Sequence, residues 1–439
     1  MKKVVIIGAG PGGYAAALRG SALGLEVTLI EKEHLGGTCL NWGCIPTKTY
    51  YHTTKVLREA REAKEITGEL KVDFQALSQK QEEVVGQLVG GLKSLMKSAS
   101  VKVIQGEGRL TEDGVVVDGQ LLPADNVIIA TGATPLTILG IEPNGEDVFT
   151  AKEIWDLKEI PSSMVILGGG VIGVEFATIF SQLGSKVTIV EREKSLLPQV
   201  APQASRLVAR HLKEAGVVIK TNTSATGYEK GRLKTEEGYI AGDILLVALG
   251  NRPNTNDLGL GEVGIALNER KEIIVDQNLE TNKKGFFAIG DVNNMPYKLA
   301  HAASHQGALV AERISGVRNA SFNSNLVPRT VFTYPELAEV GVFEGQKSRF
   351  PFSANGRALA SGMSDGFVEV YGDDKKLNGV LIVGPEACEL GNLASYALAT
   401  NPTKENLKKA IMTHPTLGET FSEASLGLFG EAIHMIKRR

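Results

Sequence analysis

Short apolar runs alternate along the chain with glycine-rich turns and helical stretches. The first run, Val4–Ile7, leads into a glycine-rich turn, a helix with small residues on its packing face, and a second strand that ends in Glu31. The same order recurs from Gly168 to Glu191, 160 residues further along and without a gap. We therefore predict two β-α-β units, and a repeat of this period indicates duplicated domains rather than a solenoid.

The remaining segments extend this α/β pattern. Residues 47–97 carry helical spacing interrupted near Gly68, which predicts a helical insertion between the two units. From about Val327 the pattern changes to short alternating strands, with helices from about Leu390, which predicts a separate C-terminal α+β domain. Apolar runs that end in turn residues predict further buried strands at Val127–Gly132, Ile244–Gly250 and Gly285–Asp291.

Composition narrows the class of protein. Of the 439 residues, 43% are hydrophobic and 22% are charged, and the net charge is only −3. This balance argues against nucleic acid or an anionic membrane as the main partner. The longest uncharged stretch, Asn126–Ile141, is broken by glycine and proline and is too short to span a bilayer as a helix. The first residues do not resemble a secretory signal, so we expect a cytoplasmic protein.

Both glycine-rich turns match the Gly-x-Gly-x-x-Gly pattern of dinucleotide-binding loops. The first glycine permits the tight turn, the second lets the backbone approach a pyrophosphate, and the third lets the helix pack on the strand. A glutamate follows each first glycine by 23 residues, at a strand end where its carboxylate can accept hydrogen bonds from a ribose. One such loop could be purely structural, whereas two complete copies predict two dinucleotide sites, at Gly8, Gly10, Gly13 and Glu31 and at Gly168, Gly170, Gly173 and Glu191.

Glu191 bears on the choice of nicotinamide cofactor. Its carboxylate favours an unphosphorylated ribose, because it would repel a 2′-phosphate. Arg192 follows directly and would suit that phosphate, so NADP stays open as the alternative. We expect NAD at the second site.

Two of the three cysteines, Cys39 and Cys44, lie close together just past the first unit. A turn entering a helix could bring their thiols within disulfide distance. In a cytosolic protein such a pair is more often catalytic or metal-binding than structural, and we favour a redox-active dithiol beside a cofactor. Two alternatives remain: a zinc site made with His34 and His52, and two unrelated buried cysteines. We interpret Cys388 as a core residue.

Four motifs taken together resemble those of the flavin-dependent pyridine nucleotide-disulfide oxidoreductases. In chain order they are the first glycine loop, Gly36–Lys48 around the cysteines, Ala288–Asp291 and His414–Glu419. The resemblance covers essentially the whole chain and implies an α/β fold with two Rossmann-like nucleotide domains and a C-terminal α+β dimerisation domain. The implied domains are 1–147 for FAD binding with the helical insertion, 148–266 for NAD binding, 267–326 to complete the FAD site, and 327–439 for dimerisation.

Within that family the chain is most similar to the dihydrolipoamide dehydrogenase branch. Leu299–His301 follows Asp291 as in that branch, and Val171 and Glu191 stand where glutathione reductases carry a tyrosine and an arginine. No vicinal cysteine pair of the mercuric reductase kind occurs near the C-terminus.

The chain also departs from the family pattern. Trp42 stands where a smaller apolar residue is commoner, and Thr413 and Gly418 replace the usual alanine and serine. The Gln346–Phe350 segment is shorter than usual, which puts the usual helix of the dimerisation domain in question.

The resemblance implies FAD at the first glycine loop and NAD at the second, and it implies no metal. The adenosine ribose of FAD is expected at Glu31 and its ribityl chain at Asp291. The further cofactor-binding residues that the resemblance implies are Thr38, Lys48, Gly108, Gly132, Leu299, Ala300, His301 and Gly250.

The resemblance also implies roles around the dithiol. Cys44 is expected against the flavin, where its thiolate can donate charge, while Cys39 exchanges with an incoming dithiol. Lys48 is expected to pair with Glu175 near the flavin ring and to keep the charge of the site balanced.

His414, oriented by Glu419, is the implied base for the thiols of the other subunit, which requires a homodimer. The implied activity is oxidation of protein-bound dihydrolipoamide with reduction of NAD⁺ to NADH. The implied partner is the lipoyl-bearing domain of a 2-oxoacid dehydrogenase complex or a glycine-cleavage H protein. Two alternatives remain: a related reductase of another disulfide or of a metal ion, and a flavoprotein that serves only as a scaffold.

Overall fold

The computed structural model describes residues 1–138, 140–229 and 231–436. Strand β1 runs parallel to β2, with Lys3 opposite Glu26 and Ile7 opposite Ile30. Its apolar side chains are buried on both faces, as is usual for a parallel sheet covered by helices. The first predicted unit consists of β1 (Lys3–Ile7), α1 (Pro11–Ala22) and β2 (Glu26–Glu31).

The predicted helical insertion is present as two long helices, and the break predicted near Gly68 lies in the loop between them. The second long helix begins where the Asp73 carboxylate accepts a hydrogen bond from the backbone N–H of Ala76 at 3.0 Å, a side-chain N-cap. A shorter helix precedes both and carries the first cysteine. The three helices are α2 (Gly37–Asn41), α3 (Cys44–Glu62) and α4 (Phe74–Ser98).

Six strands follow the insertion. They are β3 (Lys102–Gln105), β4 (Arg109–Thr111), β5 (Gly114–Val117), β6 (Gln120–Pro123), β7 (Asn126–Ile129) and β8 (Ala133–Pro135). Strands β3 and β7 join the first parallel sheet, whereas β4, β5 and β6 form a separate antiparallel sheet. The buried strand predicted from Val127 corresponds to β7.

The second predicted unit repeats the first. Its sheet has the order β12-β11-β10-β16-β9, and β17 pairs with β8 to link it to the first unit. A 3₁₀ turn, Glu153–Asp156, connects β9 to β10. The elements are β9 (Val148–Thr150), β10 (Ser163–Leu167), α5 (Val171–Leu183), β11 (Lys186–Val190), α6 (Pro202–Glu214), β12 (Val218–Lys220), β13 (Ala225–Glu229), β14 (Arg232–Thr235), β15 (Gly238–Ala241), β16 (Ile244–Val247) and β17 (Asn251–Pro253).

The chain then returns to the first sheet. Strand β18 (Phe286–Ala288) pairs with β7, which gives the order β18-β7-β1-β2-β3, and helix α7 (Ala300–Ser315) packs against α1. The two helices approach closely at Gly307, where a Cβ atom would overlap the backbone carbonyl of Gly12. Residues after the second unit therefore complete the first one.

The C-terminal region is a five-stranded antiparallel sheet, in the order β19-β20-β23-β22-β21, covered by helices. Helix α9 begins slightly before the predicted Leu390, and the pattern missed α8, which Asn355 caps through the N–H of Ala358 at 3.0 Å. Residues 342–345 connect β20 to β21 without a helix. The elements are β19 (Arg329–Val331), β20 (Glu336–Gly341), β21 (Gln346–Pro351), α8 (Gly356–Ala360), β22 (Phe367–Gly372), β23 (Leu377–Gly384), α9 (Ala387–Thr400), α10 (Lys404–Lys409) and α11 (Gly418–Leu428).

This architecture confirms the predicted α/β fold class with a C-terminal α+β domain, whereas the domain boundaries stay a prediction. Within the three described stretches, no helix is long and apolar enough to cross a membrane.

Candidate active site

The first glycine loop has the geometry of a phosphate cradle. Gly8 has a left-handed φ of +99°, and a Cβ atom there would overlap the carbonyl oxygen of Ala130. A Cβ atom on Gly13 would overlap the carbonyl oxygen of Gly8, so the helix can pack this closely only without a side chain. Gly10, in contrast, faces open space and begins α1 without a side-chain cap. The free N–H groups of the helix therefore suit a pyrophosphate.

The second loop repeats this geometry. A Cβ atom on Gly168, where φ is +115°, would overlap the carbonyl oxygen of Ala248, and one on Gly173 would overlap that of Gly168. Gly170 again faces open space at the uncapped start of α5. The two predicted loops thus share one arrangement, and each fits a dinucleotide.

The glutamate at the end of each second strand is buried and bound to its own loop. Glu31 accepts hydrogen bonds from the backbone N–H groups of Ala9 at 2.7 Å and Glu33 at 2.8 Å. Glu191 accepts the corresponding bonds in the second unit, at 2.6 and 2.7 Å. Each carboxylate oxygen retains a lone pair for a ribose hydroxyl.

A cleft of about 400 Å³ opens beside Glu31 and would accommodate the adenosine end of FAD. Two lysines of α4, Lys93 and Lys97, contribute to its wall, and the motif analysis did not include them. The signal was their helical spacing of four residues, which places both on one face of α4. The lining residues are Glu31, Glu33, His34, Leu35, Val89, Lys93, Met96, Lys97, Val101, Val103 and Gln105.

Asp291 lies in a 3₁₀ turn directly after β18. Burial raises the pKa of its carboxyl, although the positive charge of Lys298 opposes this shift. Among the described residues no side chain or backbone group donates a hydrogen bond to it. A half-buried carboxylate without donors suits a polyhydroxyl chain such as the ribityl group of FAD.

The other predicted cofactor residues lie around the two loops. Gly132 and Gly250 have left-handed backbones and face open space, and Gly108 packs against Ile7 of β1. Thr38 lies in α2 beside the dithiol. Leu299 and Ala300 form the start of α7, and His301 follows, with its Nε2 atom 2.8 Å from the carbonyl oxygen of Pro328. Their contacts with cofactors stay a prediction.

Cys39 lies in α2, and Cys44 is the first residue of α3. The start of α2 is held against the first glycine loop, because a Cβ atom on Gly37 would lie 2.7 Å from the Cα atom of Gly10. Cys39 and Cys44 influence each other's ionisation, because the interaction between their side chains raises the pKa of Cys39 and lowers that of Cys44. Burial opposes the shift at Cys44, whereas the charge of Lys48 reinforces it. Cys44 is therefore the more readily ionised thiol.

Lys48 and Glu175 are brought together as predicted. The Nζ atom of Lys48 lies 2.7 Å from Oε2 of Glu175 and 4.2 Å from the centre of the Phe332 ring. The backbone N–H of Phe332 donates to Oε1 of Glu175 at 3.0 Å. No sequence pattern indicated this third member, which comes from the C-terminal region.

Tyr14 of α1 is a further neighbour of the dithiol that the motif analysis missed. Burial raises the pKa of its phenol, and the charges of Cys39 and Cys44 add to this shift. Its position in the small-residue helix after the first loop was the available signal, because that helix has to pass beside α2.

His414 and Glu419 form a hydrogen-bonded pair at the surface of the C-terminal region. The Nδ1 atom of His414 lies 2.9 Å from Oε1 of Glu419, and the N–H of Thr416 donates to Oε2 at 2.8 Å. The Thr416 bond first and then His414 lower the pKa of Glu419. The side chain of His414 is 79% exposed, and in the described part of the chain no hydrogen bond joins it to either thiol. The pair is thus preformed without a hydrogen bond to the dithiol among the described residues.

The zinc set considered for His34, His52 and the two cysteines is not assembled in the described residues, where no three such side chains meet. His34 instead packs edge-on against Trp42, with ring centres 5.6 Å apart. Cys388 is buried in the C-terminal core, as expected.

The site combines two dinucleotide loops with a dithiol. The dithiol lies against the first loop, and the ion pair of Lys48 and Glu175 joins α3 to α5, the helix that follows the second loop. These features define a nucleotide-dependent dithiol oxidoreductase. The chain belongs to the pyridine nucleotide-disulphide oxidoreductase family, whose model matches residues 2–307, and the dimerisation domain of that family matches residues 327–425. The predicted family is confirmed, and its cofactors are FAD and NAD.

Full-length relatives carry the name dihydrolipoyl dehydrogenase. That of Thermus scotoductus is 38% identical and that of Geobacillus stearothermophilus 36%, each covering 99% of this chain, and the chain covers 99% and 98% of theirs.

Similar solved structures include LpdA of Mycobacterium tuberculosis, with a TM-score of 0.92 and 28% identity over 98% of this chain and 100% of LpdA. The flavoprotein disulfide reductase RclA of Escherichia coli has a TM-score of 0.85 and 29% identity over 96% of this chain and 99% of RclA.

Proposed function

We propose that this protein is a dihydrolipoyl dehydrogenase, which oxidises protein-bound dihydrolipoamide to lipoamide and reduces NAD⁺ to NADH. The observation that carries the proposal is the position of Cys44, which begins helix α3 beside the first glycine loop. Lys48 follows on the same helix and pairs with Glu175 of the second unit. Thiol chemistry and both dinucleotide sites are thereby linked in one chain. The names of full-length relatives support the substrate.

The thiol steps follow from the two cysteines. In the oxidised enzyme they form a disulfide, and a thiolate of the substrate attacks the sulfur of Cys39. The sulfur–sulfur bond breaks and Cys44 leaves as a thiolate, which its lowered pKa favours. The second substrate thiolate then attacks the mixed disulfide, which releases lipoamide and leaves Cys39 reduced.

The protein dithiol now holds the two electrons of the substrate. The first loop, Glu31 and Asp291 would hold FAD, which when bound would supply the route by which these two electrons reach NAD⁺ as a hydride. Lys48 keeps a positive charge beside the Cys44 thiolate, and Glu175 limits the net charge of the site.

His414 is the proposed base for the substrate thiol. Its Nδ1 atom is bound to Glu419, so its Nε2 atom remains free to accept the proton. Its exposure, and the lack of a hydrogen bond from it to the thiols among the described residues, support a homodimer in which each subunit supplies His414 to the dithiol of the other. The matching dimerisation domain agrees with this arrangement.

The proposed partner is the lipoyl-bearing domain of a 2-oxoacid dehydrogenase complex or a glycine-cleavage H protein, and the proposed location is the cytoplasm. A lipoyl group is a dithiol on a long flexible arm, so it can reach a thiol that is half-buried between α2 and α3.

A substrate panel tests the proposal. Purified holoenzyme should reduce NAD⁺ with dihydrolipoamide, and the Cys39→Ser variant should not. Faster turnover of NADH with glutathione disulfide or Cu²⁺ than with lipoamide would instead favour the alternative of a related disulfide or metal-ion reductase, and a Cu²⁺ complex of RclA is known. Bound FAD without turnover of any of these compounds would favour the scaffold alternative.

A further inference from the structure

The two tryptophans of the chain are joined by a hydrogen bond beside the dithiol. The indole Nε1 atom of Trp155 donates to the backbone carbonyl oxygen of Trp42 at 2.7 Å. Trp42 is the residue at which α2 ends, and it lies between Cys39 and Cys44. The bonded carbonyl therefore belongs to the turn that sets the spacing of the two thiols.

Trp155 is itself firmly held. It lies in the 3₁₀ turn that follows β9, an edge strand of the second sheet. Its ring packs against Tyr50 of α3 and Phe176 of α5, with ring centres 5.0 and 5.4 Å away. Because the ring packs against side chains of two helices, the indole N–H is a donor in a fixed position.

The other backbone hydrogen bonds described for this turn are local ones, to the adjoining ends of α2 and α3. The backbone of Gly43 has φ −111° and ψ −107°, outside the helical range of α2 and α3. The N–H of Trp42 donates to the carbonyl of Thr38 at 3.1 Å, which continues α2, and the Gly43 carbonyl accepts from Thr47, which begins α3. The Trp42 carbonyl is thus a point at which the backbone of the turn is hydrogen-bonded to another part of the molecule.

The ring of Trp42 has separate contacts. It meets His34 edge-on, and Nζ of Lys152 lies 4.6 Å from its centre. The hydrogen bond from Trp155 uses only the backbone of Trp42. Substitutions at the two tryptophans can therefore separate ring packing from the hydrogen bond.

We propose that Trp155 is a positioning residue for the dithiol, because its indole N–H fixes the Trp42–Gly43 turn and thereby the placement of the Cys39 thiol relative to the Cys44 sulfur. The proposal rests on the redox role proposed for the two cysteines. Without the bond from Trp155 the turn relaxes, Cys39 interacts less well with Cys44, and a smaller fraction of Cys44 is ionised at a given pH.

The test compares Trp155→Phe with Trp42→Phe in the FAD-containing dimer. After reduction by two electrons, the thiolate–flavin absorption band is titrated with pH. A net hydrogen bond changes an equilibrium about threefold to tenfold, so the band of Trp155→Phe should titrate about half a unit to one unit higher in pH. Trp42→Phe keeps the backbone acceptor and should titrate as the wild type does.

A variant that folds poorly is replaced by a closer isostere. In the Trp42→Phe background Trp155 is the one remaining tryptophan, and biosynthetic replacement by benzothienylalanine exchanges its N–H for sulfur while the ring size is kept. The same upward shift is expected there. An unchanged midpoint in the isostere, or an equal shift in Trp42→Phe, would overturn the positioning role.

The failure of the proposed function has a different signature. If the cysteines are not a redox pair beside FAD, the wild type itself shows no thiolate–flavin band after two-electron reduction. A normal wild-type band that is insensitive to Trp155 contradicts only the positioning role.

Discussion

The Nζ atom of Lys48 lies 2.7 Å from Oε2 of Glu175, and this ion pair joins α3, which begins with a cysteine, to the helix that begins at the second glycine loop. Phe332 of the C-terminal region contacts both members. Three distant segments of the chain therefore determine the charge beside the Cys44 sulfur. A change in either charged residue should be visible in the ionisation of that thiol.

The two members of this pair should have opposite effects. Lys48 lowers the pKa of Cys44 and Glu175 raises it. We expect Lys48→Met to move the pH midpoint of the thiolate–flavin band upward, by about one unit or more, and Glu175→Gln to move it downward. Spectrophotometric titration of the two-electron-reduced enzyme measures both. Lys80→Met, at an exposed position on α4, serves as the control. Shifts in the same direction for both variants would contradict the assignment.

The two cysteines should be distinguishable by substitution. We expect Cys39→Ser to show a permanent thiolate–flavin band, because Cys44 is the more ionised thiol and then has no disulfide partner. Cys44→Ser should lack the band altogether. Absorption spectra of the oxidised variants provide the measurement, and exchanged behaviour would reverse the proposed roles.

Removal of the proposed base should affect one half-reaction. A positioned general base contributes about 10²–10⁴-fold, so His414→Ala should slow reduction by dihydrolipoamide by that factor. Reduction of the flavin by NADH needs no such proton transfer and should be nearly unchanged. Glu419→Gln should cost less, because it weakens only the orientation of the imidazole. Stopped-flow measurement of the two half-reactions separates these effects.

The same residue tests the shared site. Subunits of Cys39→Ser and His414→Ala, each inactive as a homodimer, should form one intact site in a mixed dimer. Activity should therefore recover after subunit exchange. Exchange proven by mass spectrometry without recovery would place base and thiols in one chain.

Asp291 should lower the stability of the protein without FAD. Its folded-state pKa is raised by burial, so the folded apoprotein holds a proton that the unfolded chain releases near pH 4. The free energy of unfolding should fall as the pH rises from about 4 through the folded-state pKa. Asp291→Asn should remove this loss and bind FAD about tenfold to a hundredfold less tightly, because a charged acceptor is lost. Apoprotein melting curves and FAD titrations test both, and an equal pH dependence in the variant would refute the cause.

Much of the fold could be predicted from the sequence because the strongest sequence signals are local. The glycine of each tight turn and the glutamate of each strand end stand at a fixed spacing, and the structure repeats their geometry at Gly8 and Gly168. Contacts between distant segments left no such periodic signal. Two examples are the hydrogen bond from Trp155 to Trp42 and the contact of Lys48 with the Phe332 ring. Both depend on how separate elements pack, which spacing along the chain cannot indicate.

The two buried glutamates have a consequence for cofactor exchange. Besides its predicted role at a ribose, the Glu191 carboxylate accepts hydrogen bonds from the N–H groups of Gly169 and Glu193, and Glu31 accepts the corresponding bonds in the first unit. A change of nicotinamide preference by substitution of this one residue would therefore loosen the phosphate loop at the same time. A variant that prefers NADP would have to supply new acceptors for those two amides together with a cation for the phosphate, so the switch requires several concerted changes.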